Sequence, residues 1–204
     1  MTANPPANER TTGILEAACR VIVREGAHGL RMAGVAEEAG VSKALVHYYF
    51  ATRLELLRSA FAFSVERWHA AVNAALVDVE TGRARVERML LVSVEPDLPF
   101  SEQRVLWNEV WSSLRTDDEL RPLVEGSYRA SIARLVGLIE EGLRDGSIPA
   151  SVDATSAGWR LSAVADGLDS LFYLDLLDRE QVGELLGSAI VRELGSLGAR
   201  SQHA

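Results

Sequence analysis

The stretch that decides the fold is Glu37-Glu-Ala-Gly-Val-Ser-Lys-Ala-Leu-Val-His-Tyr-Tyr-Phe50. It reads as two short helices around a tight turn. Met32 to Ala39 forms the first. Gly40 ends it, because glycine adopts the left-handed backbone of a helix stop at little cost. Ser42 is a natural N-cap for a second helix running to about Tyr49. Ala36 is small enough for the two helices to cross closely, and Val35, Val41 and Val46 supply a small apolar core. The second helix then starts with free N–H groups and a positive dipole end facing outward, a disposition suited to phosphate. In a helix-turn-helix this second helix enters the major groove, with its N-terminal residues at the base edges.

The pattern on either side is helical. Ile14, Leu15, Ala18, Val21 and Ile22 recur at helical spacing and predict a first helix that stops near Gly26. Thr52-Arg-Leu-Glu55 is a capping-box sequence that opens a helix reaching about Val79. Arg83 to Val94 predicts a helix ended by Pro96 and Pro99. Ser101 to Arg115 predicts another. Thr116-Asp-Asp-Glu119 is a second capping box, opening a long helix that closes near Asp145-Gly146. Asp153 to Leu177 and Arg179 to Leu197 complete the series, with Asp178 and Gln181 capping the last. No sustained apolar/polar alternation marks a strand. The expectation is an all-α protein of about nine helices: a tail at 1–10, a three-helix DNA reader at 11–57 and a larger helical body at 58–204.

Composition sets the outer bounds. Of 204 residues, 48% are hydrophobic and 25% charged, values ordinary for a globular chain. The single cysteine, Cys19, excludes an internal disulfide and a cysteine-cluster metal site. No apolar run approaches the ~20 residues of a membrane span. Residues 1–10 lack a basic-then-apolar signal pattern. The expected compartment is therefore the cytoplasm. The net charge of −8 is unevenly spread: residues 1–60 carry seven basic and six acidic side chains, the other 144 carry 14 and 23. Such a division permits a nucleic-acid-binding N-terminus on an acidic body.

The reader closely resembles that of the TetR family. Ala36, Ala39, Gly40, Val41, Ser42, Lys43, Ala44, Tyr48, Tyr49, Phe50, Arg53, Leu56 and Leu57 follow in that family's order, after Gly26, Gly29 and Leu30. The resemblance implies that Lys43, Ala44, Leu45 and Tyr48 face the groove. Lys43 would reach guanine or phosphate, and Ala44 or Leu45 a thymine methyl. It further implies that Tyr49, Thr52 and Arg53 hold phosphates, with Arg31 and Met32 near the adjoining backbone. His47 stands where the family most often has tyrosine, and can still donate a hydrogen bond. Phe50 reads as core, and Arg20 and Arg24 as solvated surface.

A reader this small binds usefully in pairs, across a palindromic site on double-stranded DNA. Val182, Leu185, Leu186, Ala189, Ile190 and Leu194 make an apolar stripe, with Gly183 and Gly187 on the neighbouring face. The resemblance implies a homodimer through the last two helices, with Val182, Gly183, Leu186, Gly187 and Ile190 at the interface. A stripe serving only the chain's own core remains the alternative.

All four tryptophans, Trp68, Trp107, Trp111 and Trp159, lie in the body. With Tyr128, Phe172 and Tyr173, and with Glu109 and Asp166 as charges, they are candidates to line a small-molecule pocket, against the alternative that they are core. From Trp107 onward the order loosely resembles the branch of betaine-operon regulators, in which an aromatic cage would take a quaternary ammonium. The reading is then a repressor released by an unidentified small molecule. A DNA-binding regulator governed by a protein partner or by abundance is the alternative. An enzyme is not expected, and no cofactor or metal is called for. His28, His47, His69 and His203 lack metal-ligand spacing, and neither a phosphate-binding loop nor a nucleophile elbow is present.

Overall fold

The helix breaks follow the local chemistry of caps and glycines. The structure, a computed structural model, describes residues 7–92, 100–113 and 120–195. Among these it has nine helices and no strand: α1 (Ala7–Gly29), α2 (Met32–Glu38), α3 (Lys43–Tyr49), α4 (Arg53–Ala75), α5 (Gly82–Leu91), α6 (Phe100–Ser113), α7 (Arg121–Asp145), α8 (Ala154–Tyr173) and α9 (Arg179–Leu194). The helix stop expected at Pro96 and Pro99 and the capping box at 116–119 lie outside the described residues.

The caps expected at Ser42 and at Asp178 with Gln181 are present, while Thr81, which caps α5, went unread. Asp178 and Gln181 form a full capping box at the start of α9. Asp153 accepts from Ser156 N at 2.7 Å and starts α8. At the start of α4, Glu55 N donates to Thr52 Oγ1 at 3.1 Å, while the Glu55 carboxylate takes Ala51 N rather than Thr52 N, at 2.8 Å. The first helix is broken at Gly26, as expected, where φ is +76° and ψ is 164°, and only a short turn to Gly29 follows.

The chain forms two compact units, residues 1–70 with 99–127 and residues 71–98 with 128–204. The first unit thus holds α1 to α3, the first part of α4 and all of α6. In the first unit, α1 buries Ile14, Ala17, Ala18, Val21 and Ile22. These lie three or four apart and so share one face. Full burial of such side chains contributes about 1.5–3 kcal/mol each for the larger ones. α1 packs on α6 and on α2, and α2 packs on α3. Phe61 of α4 is fully buried and stacks on Trp107 of α6, centroids 5.0 Å apart.

In the second unit, α9 packs on α8 and α5. Val182, Leu186 and Ile190 are 2%, 1% and 1% exposed. Of the residues expected to meet a partner, Val182, Leu186 and Ile190 therefore serve the chain's own core, because these positions, four apart, form the inward row of α9; Gly183 and Gly187 are half-buried. Leu185 and Val191 stand outward instead. Arg83 is buried and holds the end of α9: Nη1 donates to Gly195 O at 2.6 Å and Leu194 O at 3.2 Å, and Nε to Glu87 Oε1 at 2.9 Å. It satisfies carbonyls that a helix C-terminus leaves without partners.

Candidate nucleic-acid interface

The turn between α2 and α3 has the hydrogen bonds of a Schellman stop. Gly40, at φ +65°, donates to Glu37 O at 3.1 Å, and Val41 N donates to Ala36 O at 2.9 Å. Those two bonds satisfy the last carbonyls of α2 and turn the chain sharply. Ser42 then caps α3, its Oγ accepting from Leu45 N at 3.2 Å. Val35, Ala36, Val46 and Phe50 are buried between the helices, and Val41 is half-buried. The small core thus fixes α3 on α2 and leaves the opposite face of α3 free.

That outer face holds most of the predicted contacts. Lys43, Ala44 and His47 are exposed, Leu45 is half-buried, and Tyr48 is 80% exposed. Its ring offers a partner large apolar area and a hydroxyl. Tyr49 is half-buried and meets Tyr48 edge to face, centroids 5.1 Å apart. Thr52 and Arg31 are exposed as well. The face can therefore place a cation, a methyl, a phenol and hydroxyls against a groove and its flanking phosphates.

Two predicted contacts are placed otherwise. Met32 is 9% exposed, its side chain packed inward from the first turn of α2. Arg53, although partly open to solvent, donates from Nε to Leu30 O at 2.9 Å and from Nη2 to Ala27 O. Its guanidinium is thereby committed to the end of α1, and its work is to join α4 to α1. Arg20 and Arg24 both reach Glu38, at 2.8 and 2.9 Å, and Arg24 also reaches Glu25. The hydrogen bond from Arg20, then that from Arg24, holds the Glu38 carboxyl below the usual carboxylate range. These surface pairs, worth little in stability, tie α1 to α2.

The sequence matches two family models: "Bacterial regulatory proteins, tetR family" over residues 14–60 and "BetI-type transcriptional repressor, C-terminal" over residues 82–195. The chain belongs to the TetR family. Its second half is of the BetI type within that family. The HTH-type transcriptional regulator BetI of Rhizobium meliloti is 31% identical over 159 residues, 78% of this chain and 75% of the relative. A solved structure described as a TetR-family transcriptional regulator from a Rhodococcus species shares 28% identity at a TM-score of 0.81, covering 92% of this chain and all of that one. A transcriptional regulator from Saccharomonospora viridis, solved in complex with choline, shares 25% identity at a TM-score of 0.80, covering 90% of this chain and 96% of that one. The protein is accordingly a TetR-family transcriptional regulator and not an enzyme.

The TetR-type body carries the other candidates, unit by unit. In the first unit, Trp107 lies stacked on Phe61, and Trp68 is half-buried with its ring 5.2 Å from His69. Trp111 is exposed. Glu109, expected as a ligand charge, accepts a hydrogen bond from Ala27 N at 3.1 Å and so serves the α1 kink. In the second unit, Tyr128 and Asp166 come together. Burial of the Asp166 carboxyl pushes it up to about 6, against a hydrogen bond from Tyr128 that favours the ionised form, with Asp169 adding repulsion. The residue keeps an exposed surface despite this. Phe172 is half-buried, with the Arg179 guanidinium 6.0 Å from its ring centre. Trp159 and Tyr173 are 53% and 49% exposed and stand on the outer surface of the unit. Among the described residues no cluster of His, Cys, Asp and Glu could hold a metal ion, and no helix is long and apolar enough to cross a membrane.

Proposed function

We propose that this regulator is a repressor that binds a palindromic operator as a homodimer and leaves it when a small cation binds the body. The observation that carries the reading is α3 itself: a capped helix held on a small core, with Lys43, Ala44 and an 80% exposed Tyr48 turned to solvent. Two such helices, one DNA turn or ~34 Å apart, match a palindrome. Pairing is supported by the large apolar side chains that α8 and α9 leave exposed, Trp159, Val164, Leu171, Leu185 and Val191. Gly183 and Gly187 would meet nothing within 4 Å if a Cβ were added, so their smallness is not used inside the chain and leaves room for a close second helix.

The ligand class rests on Asp166 and Tyr128, a carboxyl and a phenol brought together in the second unit, and on the choline complex of the Saccharomonospora viridis regulator. A quaternary ammonium takes its recognition from a negative charge and aromatic faces. Ligand binding can shift the reader only by its differential affinity for the bound and free dimer states.

The test is binding to DNA upstream of the chain's own coding region, at fixed salt, with and without choline. Site-selective binding weakened by choline is the expected result. Binding without selectivity would sink the operator reading. Selective binding that choline leaves untouched would sink the ligand class.

A further inference from the structure

We propose that Glu109 is a positioning residue for DNA recognition, acting through the turn that joins α1 to α2. The inference rests on the reading of α3 as the recognition helix. At the kink in α1, Gly26 sits at φ +76° and Ala27 N donates to Glu109 Oε2 at 3.1 Å. The dihedral is what calls for glycine; a Cβ on Gly26 would also lie 2.9 Å from the same oxygen and displace the Glu109 carboxylate.

The turn is gripped from a second side. Arg53, at the start of α4, holds Ala27 O and Leu30 O. The two gripping helices are themselves joined by the stack of Phe61 on Trp107. The turn passes without a linker into α2: Leu30 is fully buried and Arg31 is the N-cap of α2. The other end of α2 is tied back to α1 through Glu38. Through the Schellman turn at Gly40, α3 takes its direction from α2. A small movement of α6 against α1 therefore reaches the recognition helix by way of Glu109. Only the recognition geometry depends on this grip. The charges that attract DNA without selectivity do not.

The test uses the full chain and duplexes enriched by the wild type from a randomised library. Wild type, Glu109→Ala, Glu109→Gln and Gly26→Ala are compared for affinity to an enriched duplex and to a scrambled one, and for the half-site spacing each enriches. Amide hydrogen exchange across residues 26–32 is followed without DNA. Glu109→Ala and Gly26→Ala should lose selective affinity on the order of tenfold, the scale of one charge-assisted hydrogen bond. They should also broaden the enriched spacing, lose protection at Ala27 and keep the affinity for scrambled DNA. Glu109→Gln, whose amide oxygen accepts the same N–H, should restore all of these. Ala27 exchange, selectivity and spacing unchanged in Glu109→Ala would overturn the proposal, as would lowered thermal stability with selectivity and spacing intact. Failure of the wild type itself to enrich any sequence would overturn the reading of α3 and this inference with it.

Discussion

Asp166 carries a pH signature that can be worked through from the structure. Its carboxyl is pushed from 3.8 up to about 6, chiefly by burial. A folded-state value raised in this way favours the protonated form. The stability it contributes is complete below the ordinary value and is lost as pH rises through the folded one, here between 3.8 and about 6. At ~1.4 kcal/mol per pH unit the rise corresponds to ~3 kcal/mol. Asp166 keeps an exposed surface, and solvent screening brings the figure to about 1 kcal/mol. Asp166→Asn removes the titration and keeps an oxygen for Tyr128. At pH 7 the variant should be more stable by about 1 kcal/mol, or ~2–4 °C in Tm for a chain of this length. At pH 4 the advantage should vanish. Thermal unfolding by circular dichroism at pH 4, 5, 6 and 7 measures it, with the difference between the two chains as the readout. Taking the difference removes the carboxyls of opposite sign. Glu38, Asp145 and Asp153 are held low by hydrogen bonds from Arg20, Ser147 and Ser156, so their contributions fade only as pH falls through their lowered values. A difference that does not change between pH 4 and 7, or a variant less stable at pH 7, would refute the reasoning.

Further predictions concern separate parts of the molecule. If Asp166 must be ionised to hold a cation, the affinity for choline should rise ~10-fold from pH 5 to pH 7, and calorimetry at both values checks it. Ser42→Ala removes the cap of α3 and should cost about 1 kcal/mol, read by urea unfolding, with a larger relative loss in DNA binding because the short α3 frays first. Arg83→Ala leaves the end of α9 without its donor and a gap in the core; a loss of about 3 kcal/mol is expected in the same assay. Leu185→Glu places a charge on the outer face of α9 and should give a monomer by light scattering, with the helical spectrum unchanged.

Much of the fold was legible because helix ends are decided by neighbours in sequence. Ser42, Gly40 and the Asp178–Gln181 pair act within a few residues of themselves, so their chemistry can be read from spacing alone. The sorting of the reader into buried Val35, Val46 and Phe50 and exposed Lys43 and Tyr48 follows equally from helical period. What spacing cannot show is which body covers a face. The stripe on α9 declares that it is buried, and the structure supplies the protomer's own core as its cover. Leu185, Val191 and Trp159 are among the side chains that α8 and α9 leave exposed. Glu109 looked like a pocket charge because it stands between Trp107 and Trp111 in sequence. Its carboxylate takes a backbone N–H made available by a kink 82 residues away. Arg83 escaped notice for the same reason, since its carbonyl partners are 111 and 112 residues distant.

The central claim is that α3 reads DNA through Lys43 and Tyr48. The most direct measurement is the affinity of wild type, Lys43→Ala and Tyr48→Ala for an enriched duplex and for a scrambled one at fixed salt, with thermal stability followed alongside. Tyr48 is so exposed that its removal should leave stability within about 0.5 kcal/mol. The account predicts a loss of selective affinity of ~1–3 kcal/mol in each variant, with Tyr48→Ala leaving the affinity for scrambled DNA nearly unchanged. Selective binding that survives both substitutions would contradict it.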